Sequence, residues 1–434
     1  MSSIATGLVG IGLLLLLFLL RMPVGFAMGL IGVVGFAALA DPGPALSLLA
    51  QDIFEQYSSY PLSVIPMFIL MGTFAFASGI SRRLYRTAYV WFGEYRGGLT
   101  IATVIACAGF AAICGSTAAT AATMGKIALP EMRKYNYDNI LATGTVAASG
   151  TLGILIPPST ILIVYGLLTE ESIGKLFIAG ILPGIMLSLA FVATVVLLCQ
   201  RNPNLGPPGA PTSMREKIMA VSGIAEAVLL FILTIGGLFL GWFSPTQAGA
   251  IGAGGALIIG LVRRQLSWKA FMEAAKEGLR TSCMVLVIIT GATIFGHFMA
   301  ISTIPFALAD WIKELPISPM ALMGVIIFIY FIGGFFMDSM ALVVVTIPIF
   351  FPVVMQLGFD PIWFGVIIVL VAEMGVITPP VGVNVFVIKG IAPDIPLHHI
   401  FRGIFPFLVA LILMTILLII FPQIATLLPS LVTY

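Results

Sequence analysis

Two stretches decide the fold of this chain: GILIPPS at residues 153–159 and GVITPPVG at residues 375–382. Each places two consecutive prolines inside a long apolar segment. Because two prolines remove two amide donors and clash with the preceding turn, a helix that enters either stretch must break there. The break exposes carbonyl oxygens, which bind small cations such as Na⁺, and amide hydrogens, which attract anions. A passive kink is the alternative interpretation, and the doubling of the motif argues against it.

The composition places both stretches in a membrane. Of the 434 residues, 60% are hydrophobic and only 9% are charged, against about 25% in soluble domains. A soluble domain of this size cannot bury so much apolar surface, which excludes a cytosolic enzyme, a nucleic-acid-binding protein and a disordered chain. The four cysteines lie in apolar stretches without metal-ligand spacing, so we expect neither a disulfide nor a transition metal. The absence of a P-loop and of a GxGxxG motif predicts no nucleotide cofactor.

Membrane crossings follow from the apolar segments, since one crossing takes about 20 residues. About ten segments qualify: 4–20, 22–40, 60–79, 138–168, 172–199, 218–241, 244–262, 281–302, 361–389 and 400–428. Two further stretches, 98–132 and 318–356, are too long for one crossing and too short for two. Small or polar residues occupy their centres, so we predict re-entrant hairpins. The fold class is an all-α polytopic membrane protein.

The segments between the crossings differ in character. Residues 81–96 and 266–280 mix basic and aromatic side chains, which is typical of helices lying in the membrane interface, although an ordinary loop helix fits as well. Proline and glycine crowd residues 201–216 and predict an irregular linker. If the N-terminus lies outside, most lysines and arginines face the cytoplasm, as basic loops should. The first hairpin then opens from the cytoplasm and the second from outside.

An internal repeat links the two proline motifs, which lie 222 residues apart. Other residues recur at the same offset: Pro23 with Pro245, Pro130 with Pro352, Asp138 with Asp360, and Gly153 with Gly375. We divide the chain into a first repeat (1–205), a central linker (206–214) and a second repeat (215–434), each repeat with five spans and one hairpin. An odd number of spans inverts the second repeat. Inverted repeats are typical of secondary transporters, whose substrate site lies near the midplane between the halves.

Each hairpin tip is expected to meet one helix break, and the candidate cation ligands lie where they meet. Asp338 stands out because an intramembrane carboxylate is costly, so it is a candidate for Na⁺ or proton binding, with a helix cap as the alternative. The candidate Na⁺ ligands are Ser116, Thr117, Gly153, Pro157, Gly334, Asp338, Gly375, Thr378 and Pro379. For Ser116 and Thr117 the alternative is again a helix cap. The candidate substrate ligands are Ser159, Tyr165, Asn384 and Ser339, with ordinary hydrogen bonds inside the bundle as the alternative. Glu373 lies two residues before Gly375 and is a candidate to tune that site, with a hydrogen bond inside the bundle as the alternative.

Four motifs in order resemble the large membrane (M, DctM-like) subunit of tripartite ATP-independent periplasmic (TRAP) transporters. They are ICGSTAATAATMG (113–125), GTLGILIPPS (150–159), GGFFMDSMALVVVTIPIFFP (333–352) and EMGVITPPVGVN (373–384). The resemblance spans essentially the whole chain. It implies an elevator fold of the ion-transporter superfamily, in which a transport domain, here 98–168 and 318–389, moves against a scaffold. It also implies Na⁺ as the coupling ion and a small carboxylate, such as a C4-dicarboxylate or sialic acid, as the substrate.

The same resemblance implies two protein partners in the bacterial inner (cytoplasmic) membrane and the periplasm. A small four-helix Q subunit would pack on the scaffold beside membrane lipid, and a soluble periplasmic binding protein would deliver the substrate. No additional four-span block precedes the first repeat, so we expect Q to be a separate chain. The alternatives are a stand-alone Na⁺/carboxylate symporter and a channel. An intramembrane enzyme is disfavoured because no nucleophile and base are paired in the sequence.

Overall fold

Helices account for all the regular secondary structure in the part of the chain that the computed structural model describes, residues 2–314 and 316–431. This confirms the all-α prediction. In the first half the helices are α1 (Ser3–Leu19), α2 (Val24–Leu39), α3 (Pro42–Ser58), α4 (Val64–Ala77), α5 (Ile80–Phe92), α6 (Gly98–Cys114), α7 (Thr117–Lys134), α8 (Asn139–Ser149), α9 (Leu152–Leu155), α10 (Thr160–Thr169) and α11 (Ile173–Arg201).

The second half follows a short 3₁₀ turn at Pro203–Leu205. Its helices are α12 (Met214–Ala220), α13 (Ala225–Phe231), α14 (Gly237–Phe239), α15 (Pro245–Val262), α16 (Trp268–Ser302), α17 (Ile304–Glu314), α18 (Pro319–Gly334), α19 (Ser339–Gln356), α20 (Pro361–Ile377), α21 (Val383–Ile391), α22 (Leu397–Ile420) and α23 (Gln423–Ser430). Between α13 and α14 the backbone forms a π-helical turn.

Helix starts recur at the offset seen in the sequence. Asp138 caps α8 by accepting the Leu141 amide at 2.9 Å, and Asp360 caps α20 by accepting the Trp363 amide at 2.8 Å. These matched aspartates therefore act as N-caps, which satisfy amides that the first helical turn leaves free. The hairpin helices α7 and α19 also begin at matched positions, Thr117 and Ser339.

The two halves interlock. Helix α2 packs along α16 and its counterpart α15 packs along α4, so each half supplies one helix to each pair. The helix that follows each break also crosses over, since α10 contacts α19 and α21 contacts α7. At the crossing of α8 and α22, a Cβ atom on Gly144 would lie 2.2 Å from the Gly403 carbonyl carbon. Glycine is required there because the two backbones touch.

Helix length and apolar composition support several of the predicted spans. Six helices among the described residues are long and apolar enough to cross a membrane, or up to eight with two bent pairs. The predicted spans 4–20, 22–40 and 361–389 instead contain apolar helices of 16 or 17 residues. They are shorter because the turn at residues 20–23 ends α1 and delays α2, and because the break before Pro379 ends α20.

Two further predictions need correction, one about a connecting segment and one about a span. Residues 266–280 do not form a separate interfacial helix, because α16 runs unbroken for 35 residues from Trp268 to Ser302. No proline interrupts that stretch, so the helix continues. The predicted span 400–428 is in turn divided into α22 and α23, with Pro422 between them.

Residues 206–213 of the predicted linker are irregular, whereas a 3₁₀ turn occupies Pro203–Leu205 and α12 begins at Met214; the irregular residues are bound to the first half. The Gly97 amide donates to the Gly206 carbonyl at 2.8 Å. Just beyond the linker, Lys217 forms a salt bridge with Glu94. The hydrogen bond from Lys217 is the main reason that the pKa of the Glu94 carboxyl lies below its usual range. The linker therefore fastens the start of the second half to the turn that precedes the first hairpin.

Candidate functional site

Both proline motifs break their helices. In the first half, α9 ends at Leu155 and α10 begins at Thr160, where the buried Ser159 side chain accepts the Leu162 amide at 3.2 Å. In the second half, α20 ends at Ile377 and α21 begins at Val383. The residue before α21 is Gly382, whose φ of +63° favours glycine. The predicted breaks are therefore present at matched positions.

The tip of the first hairpin, Gly115-Ser116, lies against the first break. Gly115 has a φ of +64°, and its carbonyl accepts the Thr160 hydroxyl at 2.9 Å. A Cβ atom on Gly153 would lie 2.6 Å from the Ser116 carbonyl oxygen and 2.8 Å from the Thr120 hydroxyl oxygen. Two oxygens thus converge on a glycine backbone, as the expected meeting of tip and break requires.

The second hairpin meets the second break through a close glycine contact. The tip spans residues 335–338 between α18 and α19. A Cβ atom on Gly375 would lie 2.4 Å from the Gly334 Cα, so any side chain there would displace the hairpin. In each half the hairpin therefore touches the glycine of its own break, although Gly334 lies four residues before Asp338, the residue that matches Ser116.

One carboxylate joins the two hairpins. The Thr117 hydroxyl donates to Glu373 Oε2 at 2.8 Å, and the Ser339 hydroxyl donates to Glu373 Oε1 at 2.7 Å. All three side chains are buried. Thr117 and Ser339 are the first residues of α7 and α19 and occupy matched positions in the two halves. The two tips therefore share one hydrogen-bonding centre on α20, which the sequence identified only as a tuning residue.

Several candidate cation ligands have local hydrogen-bonding roles. Asp338 caps α19 by accepting the Ala341 amide at 3.4 Å, and Ser116 caps α7 by accepting the Ala119 amide at 3.4 Å. The Thr378 hydroxyl donates to the Met374 carbonyl at 2.5 Å. The cap that was the alternative for Asp338 is thus observed. Its carboxylate is exposed at the second tip and lines a cavity.

That cavity lies between the second tip and helices of the predicted scaffold. It encloses about 600 Å³. Its lining is mostly apolar and comes from the turn between α1 and α2, from α16 and from the second hairpin, including Phe18, Met22, Met284 and Met337. The boundary between the predicted transport domain and scaffold is therefore loosely filled at this point.

Among the candidate substrate ligands, Tyr165 makes the hydrogen bond inside the bundle that was its alternative. Its ring is fully buried and packs edge-on against Phe351 and Phe364, while its hydroxyl donates to the Pro361 carbonyl at 2.6 Å. Tyr165 thus joins α10 to the start of α20, and its role in substrate binding stays a prediction. The sequence did not reveal this because the packing partners lie in the other half of the chain.

Asn384 keeps an unused oxygen. Its amide nitrogen donates to the Ala147 carbonyl at 3.1 Å, which links α21 to α8. Its Oδ1 atom is buried and has no hydrogen-bond partner among the described residues, and the same holds for the hydroxyl oxygens of Thr120 and Ser149. Buried polar atoms are nearly always paired, so these oxygens are candidate ligands for a polar group. The sequence gives no sign of a role for Thr120 and Ser149, because hydroxyls on apolar helices usually bond to their own backbone.

Comparison with known proteins agrees with the motifs. Residues 11–424 match the family described as "Tripartite ATP-independent periplasmic transporter, DctM component". The chain is 38% identical to the C4-dicarboxylate TRAP transporter large permease protein DctM of Pseudomonas aeruginosa, over 88% of this chain and 89% of the relative. It is 32% identical to the sialic acid TRAP transporter large permease protein SiaM of Vibrio cholerae, over 94% and 95% of the two chains.

A solved structure shares the fold at low sequence identity. The YdaH transporter of Alcanivorax borkumensis superposes with a TM-score of 0.66 at 16% identity, covering 96% of this chain and 98% of that one. The family match covers most of the chain, and the relatives are matched over most of their length. Together with the paired hairpins and breaks, these findings show that this chain belongs to the DctM family of TRAP transporter large permease subunits.

Proposed function

We propose that this large permease subunit couples the inward movement of Na⁺ to the uptake of a small carboxylate. The observation that carries the proposal is the pair of hairpin tips, each pressed against its own helix break and both bonded to Glu373. Broken helices at matched places in two halves suit ion-coupled alternating access. Relatives named for C4-dicarboxylates and for sialic acid support a carboxylate substrate.

A first Na⁺ position fits the first tip. Na⁺ is a hard cation and prefers oxygen ligands, which unwound backbone in a transporter supplies as carbonyls. The Ser116 carbonyl and the unpartnered Thr120 hydroxyl both lie beside Gly153. Thr117 belongs to the first tip, whereas Gly334 and Gly375 form the contact of the second hairpin with its break. Asp338, Thr378 and the carbonyls of Pro157 and Pro379 stay predictions.

Movement of the elevator type is part of the proposal. The transport domain (98–168 and 318–389) would slide against the remaining helices and carry the substrate between Ser159, Ser339 and Asn384. The cavity of about 600 Å³ beside Asp338 lies on this boundary. Methionine-rich, loosely packed surfaces adapt to different arrangements, so the cavity supports sliding at this place.

Two further components complete the proposed transporter. The family description names a component of a tripartite periplasmic system, which supports a small Q subunit and a periplasmic binding protein as partners. It also supports location in the inner membrane of a bacterium. Exposed leucines such as Leu15 and Leu19 on α1 leave the scaffold an apolar outer surface for lipid or a packed helical subunit.

The proposal is tested in proteoliposomes that contain this chain, the small subunit and the substrate-loaded binding protein. We expect uptake of radiolabelled succinate or sialic acid with an inward Na⁺ gradient, loss of uptake when K⁺ replaces Na⁺, and no effect of ATP. Robust uptake by the chain alone would instead identify a stand-alone symporter. Steady conductance in single-channel recordings would identify a channel.

A further inference from the structure

Glu373 joins two parts of the chain that are far apart in sequence. The Thr117 hydroxyl belongs to the first hairpin and the Ser339 hydroxyl to the second, and each donates to a different oxygen of the same carboxylate. Hydrogen bonds to a carboxylate are stronger than those between neutral groups. Among the described residues Glu373 thus holds both tips at once from a third element, α20.

The surroundings of Glu373 make these two bonds hard to replace. The side chain is 2% exposed, and no lysine, arginine or histidine in the described part of the chain lies within salt-bridge distance of it. A buried carboxylate without hydrogen-bond donors is strongly unfavourable. The carboxylate therefore depends on the two hydroxyls, and the hydroxyls are held in place by the carboxylate.

The arrangement is asymmetric between the halves. The residue of the first half that corresponds to Glu373 is Thr151, which is also buried. Its hydroxyl donates to the Ala148 carbonyl at 2.6 Å, three residues earlier in its own segment. Among the described residues, Glu373 of the second half thus reaches both hairpins and its counterpart Thr151 does not, although the two hydroxyls that Glu373 binds occupy matched positions.

We propose that Glu373 is a positioning residue that makes the two hairpin tips move as one unit, so that Na⁺ binding at one tip favours binding at the other. The inference rests on the proposed function. Thr117 directly follows Ser116, whose carbonyl faces Gly153, and Ser339 directly follows the second tip. A shift of either hydroxyl therefore shifts the backbone oxygens of its tip, and Glu373 transmits that shift to the other tip.

The first test compares Glu373→Ala and Glu373→Gln with Thr346→Val in the reconstituted complex. Thr346 is the matched control because its buried hydroxyl bonds to Tyr330 at 2.6 Å inside the second hairpin alone. We expect Glu373→Ala to raise the Na⁺ concentration for half-maximal uptake about tenfold, a change in affinity that is typical of coupled binding sites. The Hill coefficient should fall toward 1. Glu373→Gln keeps one acceptor and should recover part of the loss. An unchanged Na⁺ midpoint and Hill coefficient in folded Glu373→Ala, or equal losses in Thr346→Val, overturns the proposal.

A double-mutant cycle keeps the test decisive if Glu373→Ala does not fold. Thr117→Val and Ser339→Ala each remove one hydroxyl from the carboxylate. If Glu373 links the tips, the two changes in the Na⁺ midpoint are non-additive, because the first substitution already breaks the link. Additive effects overturn the proposal.

A second readout does not depend on transport. Cys114 ends α6 beside the first tip and is partly buried. With the exposed Cys283 replaced by serine, we expect a permeant maleimide to label Cys114 faster in Ser339→Ala, a change in the other hairpin, and at the parental rate in Thr346→Val. Equal rates in both variants overturn the link between the tips. Wild-type uptake without Na⁺ dependence would refute the proposed function, and the labelling comparison would still decide whether the tips are joined.

Discussion

Substitution of Gly375 by alanine tests whether the second tip must touch the second break. The added Cβ would lie 2.4 Å from the Gly334 Cα and 2.5 Å from its carbonyl carbon. Carbon atoms in contact need about 3.5–4.0 Å, so the hairpin tip must retreat by at least about 1 Å. Overpacking of this kind costs about 1–3 kcal/mol, against a gain of up to about 1 kcal/mol for replacing glycine in a helix. We expect a net loss of about 1–2 kcal/mol in stability and a several-fold weaker response of uptake to Na⁺.

The assay pairs thermal unfolding of the purified protein with Na⁺ titration of uptake in proteoliposomes. Gly324→Ala is the matched control, because Gly324 lies in α18 of the same hairpin and a Cβ there meets nothing within 4 Å. We expect this variant to keep or slightly raise the unfolding temperature, since alanine is the better helix former. If Gly375→Ala keeps the parental unfolding temperature and Na⁺ response, the close contact does not set the position of the tip.

Two further predictions concern the ion pairs and the orientation. Glu226 bonds to Arg83 and, at 2.5 Å, to Arg263, and the Glu226 and Arg83 side chains are 12% and 19% exposed. Glu226→Ala should lower the unfolding free energy in chemical denaturation by about 2 kcal/mol, which is less than the ~3–5 kcal/mol of a fully buried pair. Arg263→Ala should lower it by less than about 1 kcal/mol, because the Arg263 side chain is 52% exposed. Equal losses in the two variants would contradict this ranking. In whole cells, a membrane-impermeant maleimide should label a cysteine at Glu170 but not one at Arg215, and the reverse pattern would overturn the orientation derived from the basic residues.

Local chemistry made the helix breaks and several caps predictable from the sequence. A Pro-Pro step lacks two amide donors whatever surrounds it, so the interruptions before Pro157 and Pro379 follow from covalent structure alone. Asp138 and Asp360 cap helices because each accepts an amide three residues away. The hairpin turn at residues 115–116 consists of glycine and serine, and the turn at residues 335–338 follows Gly333-Gly334 and ends with Asp338. In each case the deciding partner lies within a few residues.

The tertiary structure decided the roles that depend on distant partners. Thr117 and Glu373 are 256 residues apart, and Tyr165 and Pro361 are 196 residues apart. The sequence therefore ranked Glu373 as a tuning residue and Tyr165 as a substrate candidate, whereas packing between the halves makes Glu373 the centre of both tips and gives Tyr165 the hydrogen bond that was its alternative. Helix α16 also differs from its prediction. Its first residues are amphipathic, but no proline separates them from the apolar residues that follow, so one helix spans both parts. A single sequence specifies where its backbone cannot be helical, but the burial and pairing of a polar side chain are fixed only when the two halves pack together.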